Sequence, residues 1–310
     1  MLESTTPKDG SDDVDSATHD ASDRFGIPIN AKPVPERHPL RWVGAFIVLG
    51  LLAWVARTFA VSSIEWHTIP AYFVSDSMRT GLVGTVKLTL AVMTLAILLG
   101  TLLAVAQQSG NSVLRILATA YVWVFRGVPA LVQLLLWFNL AIVIPNVDLG
   151  PLYSGKTNEL MTPFMAALLG LGLAEAAYMA EIVRSGILSV PSGQVEAAKS
   201  MGMPSSMAMR RVILPQAVRV VIPPTGNQFI GMLKYTSLAF AVAYSDLLSE
   251  ASKIYNANFK VIEVLLSATI WYLILCTVSS LIQGYIERRL ASDLSPAARA
   301  RLRLESEALG

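Results

Sequence analysis

The chain has 310 residues, of which 54% are hydrophobic and only 15% charged, and its net charge is +2. Soluble domains carry about 25% charged residues, so the balance points into a membrane. The small net charge excludes an electrostatic nucleic-acid partner, and the lone Cys276 excludes an internal disulfide or a cysteine-rich metal site.

Residues 1–41 are polar and rich in acidic residues and serine, from Ser11-Asp12-Asp13 through Asp23. With so few large apolar side chains they cannot offset the entropy of ordering, and a disordered, solvated tail is expected. No charged segment followed by an apolar stretch marks a secretory signal.

Six apolar segments follow, at roughly 42–61, 80–107, 117–145, 163–189, 221–247 and 262–285. Each can cross about 30 Å of hydrocarbon as a helix. None shows the alternation of a barrel strand, so the expected fold class is all-α, a polytopic membrane protein of about six transmembrane helices. The first segment is the weakest, a clean run from Trp42 to Ala56 that Arg57 interrupts. Residues 42–61 read as an extra N-terminal helix, 80–287 as the main transmembrane domain, and 288–310 as a C-terminal tail.

The basic residues set the orientation. One set of loops holds Lys32, Arg37, Arg41, Arg115, Lys199, Arg210, Arg211, Arg219, Arg288 and Arg289. The other holds Arg79, Lys156, Lys253 and Lys260. The richer set belongs in the cytoplasm, which places both termini and the long loop 190–220 inside and the loops 62–79, 146–162 and 248–261 outside.

One of those outer loops, Gly150 to Thr157, matches the phosphate-binding pattern GxxxxGK[ST] letter for letter. That pattern needs a buried strand before it and a helix N-terminus after it within an α/β sheet. Here a membrane helix precedes it and no acidic partner for Mg²⁺ follows, so the stretch reads as a glycine- and proline-rich turn. Any ATP hydrolysis must come from another chain. No two of His19, His38 and His67 have metal-ligand spacing, so no metal site is expected.

Ionisable groups inside spans are costly and face partners or a wet path. The candidates are Arg126, Glu175, Glu181, Arg184 and Lys234. Rise per residue puts Glu175 level with Lys234, and Glu181 level with Arg126, which predicts two charge pairs. Such pairs either pin helices together or line a path. In the second case Lys234, Thr236 and Ser237 supply donors for a carboxylate, and Glu175 meets an ammonium. Gln133, on the third segment, is a further polar candidate, while Asn227 and Gln228 are expected to bond to neighbouring helices.

The loop 190–220 contains Gly193-Gln194-Val195-Glu196-Ala197-Ala198-Lys199-Ser200-Met201-Gly202 and then Ile213-Leu214-Pro215-Gln216. A short helix is expected from about Gln194 to Met201, stopped by Gly202. Pro204 can start the next helix and Pro215 breaks the chain again. The expected apolar side is Ala197, Ala198, Met201 and Met203, suited to insertion into a partner's groove.

These residues resemble the EAA loop of permease subunits of bacterial ABC importers. The stretch from Ala177 to Ile187, the stretch from Phe125 to Gln133, and Lys234-Tyr235-Thr236-Ser237-Leu238 are similar to the polar amino-acid branch. The resemblance implies a type I ABC importer permease fold with a cytoplasmic coupling helix, in the bacterial inner membrane. It implies that Gly193, Gln194, Glu196, Ala197, Ala198, Gly202, Leu214, Pro215 and Gln216 couple to an ATPase. It further implies a dimer of cytoplasmic ATPase subunits that bind the ATP and Mg²⁺, a second permease chain, and an external amino-acid-binding protein. This chain would bind no cofactor and perform no covalent chemistry. Two departures stand out: Ala130 and Val128 replace the Leu and Thr common in that family, and the first span and acidic tail are additions. The competing reading is a secondary transporter or channel with no ATPase, which would show inverted repeats; no such repeat is visible.

Overall fold

A computed structural model describes residues 39–148 and 150–292. The expected tails at 1–38 and 293–310 lie outside them. The chain divides into two compact units, residues 1–63 and 64–310.

The first unit contributes one described helix, α1 (Pro39–Val61), which runs straight through Arg57. Its mostly apolar side chains from Val43 to Val61 are all exposed apart from one another, as a lipid-facing helix requires.

The second unit is helical apart from one hairpin. A short α2 (Ile69–Phe73) leads to α3 (Asp76–Gln107), whose start is capped by the Ser75 side chain accepting from Met78 N. Then come α4 (Ser112–Gly127), α5 (Ala130–Phe138) and α6 (Leu140–Val143). The strands β1 (Asn146–Asp148) and β2 (Ser154–Lys156) pair antiparallel, Asn146 opposite Lys156, and α7 (Thr157–Leu160) follows. The long α8 (Pro163–Leu188) is succeeded by α9 (Ser192–Ser200), α10 (Ser205–Ala208) and a π-turn at Met209–Ile213. α11 (Leu214–Tyr235) runs into a 3-10 helix (Thr236–Val242), and α12 (Leu247–Asn258) and α13 (Val261–Ser292) complete the unit.

The six expected segments map onto these helices with two corrections. The segment 117–145 is not one straight span: α4 and α5 meet at 100°. Val128 precedes Pro129, which has no N–H to continue the helix and pushes the residue before it out of helical geometry. Val128 accordingly sits at φ −98° and ψ 130°. The segment 221–247 is α-helical only to Tyr235 and continues as a 3-10 helix to Val242. It carries Pro223, Pro224 and Lys234, and it is not apolar enough to qualify as a span on length and composition, whereas α1, α3, α8 and α13 are.

α8 is the centre of the second unit and packs against α3, α4, α5 and α11. Alanine and glycine on its faces let the neighbours approach closely, which is how membrane helices associate without a hydrophobic drive between them. A Cβ at Gly170 would sit 2.6 Å from the Cα of Leu134, so only glycine permits the α8–α5 crossing. The core between these helices is Leu88, Val92 and Ala96 of α3, Leu134 of α5, Leu171 and Met179 of α8, and Met232 of α11.

At the end of the unit that holds α2 and α12, polar groups are paired. The buried Asp246 caps α12, accepting from Ser249 N at 3.0 Å and Leu248 N at 3.2 Å, and the Tyr272 hydroxyl donates to it at 3.3 Å. The Lys260 ammonium donates to the Glu65 carboxylate, which raises the lysine's affinity for its proton. Gly150 to Lys156 form the turn and second strand of the β1–β2 hairpin, with Lys156 exposed, and Thr157 opens the four-residue α7, so a second strand stands between the turn and the helix where a phosphate loop would run straight into one.

Candidate functional site: a loop surface and an intramembrane cavity

Pro191 opens α9 at its N-cap, and Gly202 closes it. Gly202 has φ +75°, a left-handed conformation that side chains resist. With it in place, Met203 N donates to Ala198 O at 3.1 Å and Gly202 N to Lys199 O at 2.9 Å. These two bonds satisfy carbonyls that the helix end would otherwise leave open.

The helix rests on the base of α11. Val190, Ile213 and Ala217 form a small core there, with Ile187 and Val195 against it. Ala198 turns inward and is only 3% exposed. Gly193, Gln194, Glu196, Ala197 and Gly202 remain exposed, as does Met201 at 76%. The expected apolar side is therefore split. Ala198 anchors the helix to its own chain, while Ala197 and Met201 face outward, because α9 must bury one side to be held at all. Leu214 and Pro215 are exposed at the start of α11, and Gln216 Nε2 donates to Val212 O at 2.8 Å across the π-turn.

Inside the helices lies a cavity of about 460 Å³. Its walls come from the elbow (Pro129, Ala130, Leu131), from Glu175 and Tyr178 of α8, and from Gln228, Met232 and Tyr235 of α11. Glu175 is 5% exposed, and its Oε1 has no hydrogen-bond partner among the described residues. Gln228 is its polar neighbour across the cavity. An unpaired acceptor at such burial costs about 1–3 kcal/mol, so a donor arriving in the cavity gains correspondingly.

The elbow is held by Gln133. Its Nε2 donates to Phe125 O and to Val128 O, each at 2.9 Å, and so satisfies carbonyls that the broken helix leaves open. Gln133 is buried and positions the cavity wall rather than lining the cavity.

The expected charge pairs are not formed. Glu181 pairs with Arg184 on its own helix at 2.7 Å, three residues on. Arg126 stacks over the Tyr178 ring at 5.3 Å. Lys234 is exposed and outside the cavity lining, because one helical position beyond Met232 and Leu233 turns it away from α8. Equal depth alone does not bring two side chains together, because each helix also turns its faces in different directions. The Thr236 hydroxyl donates to Leu233 O at 2.9 Å and that of Ser237 to Lys234 O at 2.7 Å, so both are spent on the backbone. Gln228, expected to bond to a neighbouring helix, lines the cavity beside Glu175, and Tyr178 and Tyr235 are the lining side chains not singled out from the sequence. The spacing of Gln228, Met232 and Tyr235 along one face of α11 was the available signal.

Residues 96–292 match the family described as binding-protein-dependent transport system inner membrane component. The arginine transport system permease protein of Corynebacterium glutamicum is 44% identical over 280 residues, 88% of this chain and 87% of that protein. The glutamate/aspartate import permease protein of Escherichia coli O157:H7 is 36% identical over 211 residues, 68% of this chain and 92% of its own length. Among solved structures, an amino acid ABC transporter aligns with a TM-score of 0.65 at 32% identity, covering 74% of this chain and 100% of that one. The MetNI methionine ABC transporter aligns with a TM-score of 0.57 at 20% identity, over 69% and 96% of the two chains, and speaks to the fold alone. The fold is thus that of a type I ABC importer permease, and the chain belongs to the binding-protein-dependent transport system inner membrane component family.

Proposed function

We propose that this chain forms part of the membrane pathway of an ATP-driven importer for a polar amino acid, with Glu175 receiving the substrate's positively charged end. The chain is a permease subunit, and ATP hydrolysis belongs to a separate subunit, as in its relatives. The observation that carries the substrate reading is the buried, unpartnered Glu175 Oε1 in a cavity of about 460 Å³. A carboxylate there favours an ammonium or guanidinium, and the 44% identical relative is named for arginine.

The exposed face of α9, with Gly193, Gln194, Glu196, Ala197 and Gly202 and with Leu214, Pro215 and Gln216 beside it, docks on the ATPase. Two ATPase subunits hold the ATP and Mg²⁺, a second permease chain completes the pathway, and an external binding protein delivers the amino acid. Closure of the ATPases moves α9 and, through the Val190–Ile213–Ala217 contact, α11, which lines the cavity. The basic-loop bias places α9 and both termini in the cytoplasm and the β1–β2 hairpin outside. Residues 42–61 are an added span and 80–287 the transport domain.

Uptake of labelled arginine, glutamine and glutamate into cells carrying the complete transporter tests this reading. The expected result is arginine uptake that falls at least about tenfold in Glu175→Gln. Unchanged arginine uptake in that variant would remove Glu175 from the pathway. Uptake that follows an ion gradient and ignores ATP would favour a secondary transporter.

A further inference from the structure

α11 has a different task at each end. Its base, at Ala217, joins the small core under α9, and its far half, with Gln228, Met232 and Tyr235, walls the cavity beside Glu175. Between the two stand Pro223 and Pro224. Neither has an N–H, so two consecutive rungs of the helix ladder are missing. The Thr225 hydroxyl donates back to Val221 O at 2.8 Å, and Gly226 follows. Prolines and a back-bonding threonine both make a helix easy to bend. A helix weakened there would absorb a push at its base instead of passing it on.

α13 reaches this joint with one side chain. Gln283 Nε2 donates to Pro223 O at 3.2 Å and to Asn227 Oδ1 at 3.1 Å, one helical turn apart on α11, and to Glu287 Oε1 at 2.8 Å on its own helix. An amide has two N–H groups, so the three acceptors share them. They also fix which end of the amide faces α11, because its carbonyl would meet them with no donor. Gln283 Oε1 is buried with no partner among the described residues. The side chain lies against Gly226, where an added Cβ would stand 2.7 Å from Gln283 Cδ. Glycine at 226 is therefore the opening that admits Gln283. Neither Gln283 nor Asn227 walls the cavity, whereas the next residue, Gln228, does.

We infer that Gln283 is a positioning residue for transport: from α13 it splints the double-proline joint of α11, so that movement arriving through α9 turns Gln228 and the cavity wall instead of being lost at the joint. The source of that movement rests on the importer reading above; the splint rests on the Gln283 hydrogen bonds alone.

Two measurements on the complete purified transporter test the splint. In reconstituted vesicles, uptake of labelled arginine and ATP hydrolysis are followed together for the native chain and two variants. Gln283→Met keeps the length of the side chain and loses the donor. Gly226→Ala displaces the amide from the other side, and it keeps the test decisive should Gln283→Met fail to assemble. Uptake per ATP hydrolysed is expected to fall about fivefold in each, with the ATPase still bound and the apparent KM for arginine little changed. Hydrogen exchange, read by mass spectrometry with no ATP present, is expected to quicken about fivefold at residues 225–228 in both variants. An unchanged ratio of uptake to ATP, or unchanged exchange at the joint, overturns the inference. So does loss of the bound ATPase with that ratio intact, which would make Gln283 a scaffold residue. Uptake by the native chain without ATP would remove the importer reading instead, and the exchange measurement, which needs no transport, would still decide the splint.

Discussion

The loop around α9 and the cavity beside Glu175 treat their polar groups in opposite ways. On the loop, Gln194 and Glu196 stand in the open, and the helix end is satisfied by its own backbone through Gly202. In the cavity, a carboxylate is 5% exposed and one oxygen is left unpaired. On the proposed reading, the first is a surface that the ATPase completes, where both the fit of the helix and its exposed side chains count. On the same reading, the second is a small site where one carboxylate selects what enters. Substitutions in the two regions should therefore fail differently: loop variants should lose the response to ATP, and cavity variants should lose the substrate.

The largest effect is expected at Glu175. Loss of a charge-assisted contact corresponds to about 1.5–3 kcal/mol, or roughly 10- to 100-fold. Glu175→Gln should lower arginine uptake by that factor while the ATPase still co-purifies, and loss of the ATPase as well would erase the distinction between the two regions. Gly202→Val comes next. A branched side chain at φ +75° costs about 1–2 kcal/mol and opens the cap of α9. Uptake should fall several-fold with a matching loss of bound ATPase, whereas substrate affinity, read from the concentration dependence of what remains, should stay put.

Gln133 tests the cavity from behind its wall. Gln133→Leu leaves the carbonyls of Phe125 and Val128 without their donor, a loss of about 1–2 kcal/mol in holding the elbow. We expect a rise of a few-fold in the apparent KM with the maximal rate much less affected, and partial recovery in Gln133→Glu only at pH low enough to restore a donor. An equal fall in both parameters would make the residue merely structural. The smallest effect is at Glu181. A double-mutant cycle with Arg184 should show a coupling of about 0.3–0.5 kcal/mol, and the cycle with Arg126 none.

Much of this architecture could be read from the sequence, because a membrane limits the choices. The long apolar segments and the short helix ended by Gly202 follow from hydrophobic length and from local backbone chemistry, whereas Pro215 does not break the chain but stands in the first turn of α11. What could not be read was direction. The segment 117–145 reads as one span, and that the chain turns by 100° after Val128 depends on Gln133 and on the glycine at 170 that admits α5. Depth alone matched Glu175 to Lys234 and Glu181 to Arg126, and both pairings fail because the side chains leave their helices at different angles. Ala198 lies inward and Ala197 outward for the same reason. The cavity joins residues from the elbow, α8 and α11 that no spacing within one segment links.

The central claim is that this pore is worked by an ATPase it does not contain. The most direct measurement is co-purification of the tagged chain with its ATPase, paired with ATP-dependent uptake in reconstituted vesicles, for the native chain and for Glu196→Lys and Gly202→Asp. The account predicts a stably bound ATPase and ATP-driven uptake for the native chain, with both lost together in the two variants while the permease still folds and inserts. Full uptake by a chain with no ATPase bound would contradict it.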